Sequence, residues 1–193
     1  MIGIKKAKGT KRGLRAIPGA HHFEMAPAPY RVVAAPENKP PFAVDGVVAE
    51  EDTFLVMSAP AELRPVREPL MRVMTRVIET RPREPGSVVI QGEKPVRILA
   101  VIHDFNQEPS WREGWVARAL QGVLKTAEQE RLRSIALPML GTVHGALEAR
   151  RFMKLFARAL KTVHPQTLKQ IWLVIPSGIG LRRLEDLKTA LKT

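Results

Sequence analysis

The amino-acid sequence predicts an α/β fold of three layers, α/β/α, around a mixed sheet, and three observations predict it. Short apolar runs without alternation, Ile135, Ala136, Leu137, Met139 and Leu140 in one place and Ile171 to Ile175 in another, have the composition of strands covered on both faces. Between them lie segments whose apolar residues recur every three or four positions, as in helices with one buried stripe. In the N-terminal half, short strand-like runs are separated only by turn residues, which calls for some antiparallel pairing. At 193 residues, 45% of them hydrophobic, the chain is long enough for one real core.

Taken in order, residues 1–22 carry Lys5, Lys6, Lys8, Lys11, Arg12 and Arg15, no acid, and Gly3, Gly9, Gly13 and Gly19. They read as a flexible basic arm, with a single domain over 23–193. Prolines at 27, 29, 36, 40 and 41 leave room for one short edge strand near Tyr30 to Ala34. Thr53 to Ala59 (TFLVMSA) is expected to be a strand. Val66, Leu70, Val73, Met74, Val77 and Ile78 have helical spacing, ended by Pro82. Val88 to Ile90 and Val96 to His103 follow as strands around a turn at Gly92 and Pro95. Ser110 and Glu113 match a capping box opening a helix with Val116, Leu120, Val123, Leu124 and Ala127 inside. The apolar run from Ser134 is the next strand, and Phe152, Leu155, Phe156, Ala159, Leu160 and Val163 line the next helix. Ile171 to Ile175 is the last strand, and Leu184, Leu187 and Leu191 mark a short terminal helix.

Composition excludes several classes of function. With no cysteine there are no disulfides or thiolate sites, and the five histidines lack metal-binding spacing, so neither a metal nor a cofactor is expected. No apolar run approaches the roughly 20 residues that span a bilayer, so no membrane partner and a cytoplasmic location are expected. Lys plus Arg exceed Asp plus Glu by 31 to 19, and the resulting +12 favours anionic partners, RNA or DNA among them. Half of that charge sits in the first fifteen residues.

The most specific stretch is Ser134 to Gly145, SIALPMLGTVHG: a buried strand breaking into a glycine-bracketed loop before an amphipathic helix. Backbone N–H groups of Gly141, Thr142, Val143, His144 and Gly145 can converge there on a phosphate, with the Thr142 hydroxyl and the His144 ring as further donors. The plainer alternative is a tight connection. Trp111 and Trp115, at i and i+4, are either a stacking platform or core anchors. Arg150, Lys154, Arg158 and Lys161 form a stripe that is either a solvated face or a polyanion contact.

Over residues 86–175 the order of motifs resembles a divergent macro domain, the ADP-ribose-binding module. EPGSVVIQG, ILAVIH and above all SIALPMLGTVHG are similar to that family's strands and to its second phosphate loop. The resemblance implies a macro-domain-like mixed sheet and ADP-ribose or a related phosphate-bearing nucleotide as ligand. It places Gly141 to Gly145 on the phosphates, and Ser177 and Gly178 at the adenine side of the cleft. The family's first ligand loop follows a strand reading roughly Val-Asn-Ala-Ala-Asn. Matched to Val56, Met57, Ser58, Ala59 and Pro60, that strand keeps neither asparagine, and Ala61 to Pro69 has no glycine. No catalytic residue is therefore assigned, and binding without hydrolysis is expected. The alternative is a nucleic-acid-associated protein using the basic arm on a macro-like scaffold.

Overall fold

A computed structural model describes residues 23–24, 29–57, 81–176, 185 and 187–189. The expected basic arm, the helix expected over Val66 to Ile78, and Ser177 and Gly178 lie outside the described residues. Seven strands form one mixed sheet. They are β1 (Phe23–Glu24), β2 (Arg31–Pro36), β3 (Gly46–Asp52), β4 (Val88–Gln91), β5 (Val96–His103), β6 (Ser134–Pro138) and β7 (Gln170–Ile175), in the order β1-β2-β7-β6-β3-β5-β4. The inner strands are parallel, whereas β1 on β2 and β4 on β5 are antiparallel. The short strand near Tyr30 is thus flanked on both sides, by β1 and β7, and is not an edge.

Helices α1 (Glu113–Gln129) and α2 (Ala149–Thr162) pack on one face of the sheet and on each other. Val116, Leu120, Val123, Leu124 and Ala127 of α1 are buried, as the helical period requires. They meet Phe152, Leu155, Phe156 and Ala159 of α2 in one core with Ile98, Ala100 and Ile102 of β5. The alternate residues Leu99 and Val101 face the other way and are also buried, which accounts for an apolar run without alternation. On that second face Ala35, Ala136 and Trp172 cluster with Phe42, Val44 and Val174. The buried Tyr30 hydroxyl donates to Val163 O at 2.8 Å. Burial, helped by the Glu128 charge, pushes its pKa up to about 12.

Three expectations are corrected. The capping box does not form, because Arg112 is the N-cap with no side-chain cap bond. Glu113 instead takes two hydrogen bonds from Arg151 of α2, at 2.6 and 2.7 Å, which hold its carboxyl below the usual range. Trp111 lies before α1 rather than one turn above Trp115 on it, and bridges His103 of β5. The strand expected at Thr53 to Ala59 is instead β3, seven residues earlier. Its end, Glu50-Glu51-Asp52, carries the charges of a loop, yet Glu51 and Asp52 are buried because backbone amides satisfy them. Pairing with β5 slips between Glu51 and Asp52, a bulge that re-aims the strand end.

Candidate functional site

β3, β5 and β6 are parallel, and their C-terminal ends open on one edge of the sheet. The chain runs from β3 to β5 on one side, then crosses back to place β6 on the other side of β3. Crossovers that leave in opposite directions create a crevice at such a switch point, the usual ligand position in α/β sheets. Three segments border it: Thr53–Met57 after β3, Asp104–Phe105 after β5, and Gly141–Gly145 beyond β6.

The first segment is a turn built by one carboxylate. Asp52 Oδ1 accepts the Phe54 N–H at 2.7 Å, and Oδ2 accepts those of Val56 at 2.8 Å and Met57 at 2.9 Å. Burial alone would raise the Asp52 pKa. The three amides outweigh it, with help from Glu51, and the carboxyl stays below its ordinary value. The same turn holds Leu55 at φ 61°, a left-handed conformation that a branched residue rarely adopts. Of the residues matched by resemblance to the family's Val-Asn-Ala-Ala-Asn strand, Val56 and Met57 lie in this turn and not at a strand end, and Ser58, Ala59 and Pro60 lie outside the described residues.

The loop beyond β6 is organised from beneath by Glu50. Its Oε1 accepts the Gly141 N–H at 2.6 Å, and its Oε2 lies 3.2 Å from His103 Nε2. Both side chains are buried, at 8% and 1% exposure. With Glu50 ionised, Nε2 must carry the hydrogen. The His103 ring lies 6.2 Å from that of Phe105 and 6.4 Å from that of His144. Sequence reasoning placed no function on Glu50 or Asp52. The available signal was the acid run directly after the strand-like Gly46-Val47-Val48-Ala49.

The five expected contact residues divide. Gly141 has φ 77°, and a Cβ there would meet Val116 at 3.2 Å and Leu147 at 3.5 Å. Its missing side chain thus faces the core, and its N–H is held by Glu50. The Thr142 N–H and hydroxyl both donate to Met139 O, at 3.1 and 2.6 Å. Gly145 packs so tightly that a Cβ would lie 2.6 Å from Gly141 O and 3.0 Å from the Trp111 ring. By contrast, the N–H groups of Val143, His144 and Gly145 have no partner among the described residues. Val143 is 66% exposed, Phe105 63%. Three consecutive open amides on a braced loop can receive one anionic group.

No protein-family model and no curated protein matches this sequence. Solved structures do. A variant of the Oceanobacillus iheyensis macrodomain superposes with a TM-score of 0.61 at 14% identity, over 89% of this chain and 95% of that one. Another variant of it, solved with ADPR, gives 0.60 at 13%, over 89% and 96%. The macrodomain of Thermus aquaticus DarG gives 0.53 at 20%, over 75% and 98%. These likenesses span most of every chain compared, and with the sheet order they establish that this chain has the α/β macrodomain fold.

Proposed function

We propose that this chain is a binding module of macrodomain fold that takes ADP-ribose or a related phosphate-bearing nucleotide without hydrolysing it. The observation that carries this reading is the run of open amides at Val143, His144 and Gly145, at the switch point of the sheet. A solved neighbour of the same fold holds ADPR, which supports the ligand class. The non-hydrolytic part rests on Met57 and Pro60, the residues matched by resemblance to the family's asparagines, neither of whose side chains can orient a water.

Calorimetric titration of the full chain with ADP-ribose tests the reading. One-to-one binding with a matching rise in melting temperature is expected, since a ligand that binds only the folded state stabilises it by mass action. No heat and no shift at millimolar ADP-ribose removes the assignment.

A second reading has its own observation. Arg150, Lys154, Arg158 and Lys161 follow one another along α2, and the last three line a shallow depression with Ala157. No ion pair among the described residues engages them. This stripe, with the six cations of residues 1–15, suits a nucleic-acid backbone. Binding to duplex DNA should then weaken with salt by a log-log slope of about −0.9 per phosphate contacted. Deleting residues 1–22 should lower that slope in magnitude. Equal slopes would move the contacts to α2, and no binding at about 150 mM salt excludes the reading.

A further inference from the structure

Glycine-bracketed loops hold anions through successive backbone N–H groups, and the first such group here, on Gly141, is already taken. What takes it is itself an anion: Glu50 Oε1 at 2.6 Å, with the other carboxylate oxygen against His103. The pattern repeats across the crevice. Asp52 holds the amides of Phe54, Val56 and Met57, and Glu51 Oε1 that of Met57 at 2.7 Å. Carboxylates at the end of β3 thus occupy backbone amides in the loops after β3 and β6 that an anion could otherwise use. In a shielded setting a fixed negative charge repels an arriving anion far more strongly than in water.

We propose that Glu50 is a built-in anion that fills the first phosphate position of the Gly141–Gly145 loop. It confines an incoming phosphate to the Val143–Gly145 amides and disfavours ligands in proportion to their charge. The inference rests on the nucleotide-binding reading above and adds a selectivity to it. The ligand class that fits is a phosphoester of low net charge, and more highly charged phosphate groups are penalised. His103 positions the carboxylate, since it supplies the only side-chain hydrogen bond to Glu50 among the described residues. His103 itself is buried and its ring is flanked by Phe105 and His144.

The test uses Glu50→Gln, which keeps an oxygen to accept the Gly141 N–H but removes the charge. The full-length protein and the variant are titrated with ADP-ribose, AMP and adenosine at two salt concentrations. The variant should gain tenfold or more for ADP-ribose and also gain for AMP, whose phosphomonoester carries a comparable charge, with nothing gained for adenosine, and both gains should shrink at the higher salt. A purely structural role would move adenosine as well. Equal or weaker ADP-ribose binding by the variant overturns the proposal. If the parent protein binds ADP-ribose and the variant binds it no better, the nucleotide reading survives and the role of Glu50 falls. If only the variant binds, Glu50 is the block and the parent is not an ADP-ribose binder.

A measurement on the unaltered protein covers the case in which the variant does not fold. In a titration with inorganic phosphate, amide resonances of Val143, His144 and Gly145 should shift while that of Gly141 stays in place. A Gly141 shift as large as theirs would mean that phosphate displaces Glu50, and the proposal fails.

Discussion

After β3, the amides of Phe54, Val56 and Met57 all donate to Asp52. After β6, the next strand in the sheet, those of Val143, His144 and Gly145 have no partner among the described residues. Both loops leave the same edge, so the difference lies in the side chains and not in the topology. A loop whose donors are met by its own carboxylate is a closed turn, rigid enough to hold Leu55 at a positive φ. A loop braced from below by Gly145 on Trp111, and by Glu50 on Gly141, stays ordered while its outer donors remain open. The donors of the first loop are spent within the fold, and those of the second are left over among the described residues.

The sharpest way to break this contrast is to open the closed loop. Asp52→Ala removes the acceptor of three amides at once and should destabilise the fold by about 3 kcal/mol, read from urea melts. The same carboxylate sets an acid limb. Its pKa in the fold lies below the ordinary 3.8, so the stability it contributes is complete above that value and is lost as pH falls toward the folded one. Asp52→Asn should flatten stability against pH below about 4. An unchanged acid limb would mean that Asp52 does not hold the turn.

Next in size is Gly145→Val. Its Cβ would meet backbone at Gly141 O and the Trp111 ring, and such overpacking should lower stability by about 2 kcal/mol. Nucleotide binding should fall with it. A melting curve like that of the parent would show that the loop does not rest on Trp111.

The smallest effect is expected at Val143→Gly. The side chain is mostly exposed, so stability should move by no more than about 0.5 kcal/mol, while ligand approach to the amide becomes easier. Weaker ADP-ribose binding would show that the valine itself makes the contact.

The α1 and α2 faces, β5, β6 and β7 were legible in the chain, because each buries an apolar set whose period names the element. The same reasoning missed β3. Val47-Val48-Ala49 is short, and Glu50-Glu51-Asp52 has no apolar period, so the more hydrophobic Thr53 to Ala59 drew the strand assignment. Ser110 and Glu113 misled in a similar way, since a local pairing rule cannot see Arg151 waiting across the helix interface. The Gly141–Gly145 loop was placed correctly beyond a buried strand. Which of its amides stay open was not legible, because Glu50 lies 91 residues from Gly141 in the chain.

By itself, then, the sequence determined the layers, the two helical faces, the excess of positive charge and the location of the glycine-bracketed loop. These depend on local period, composition and the special conformations of glycine. Only the tertiary structure decided the sheet order, the end of β3, and the division of labour among the amides at the crevice. The buried Glu50 carboxylate is tolerated because the Gly141 amide and the His103 ring, 91 and 53 residues away, converge on it, and that convergence exists only once β3, β5 and β6 lie side by side.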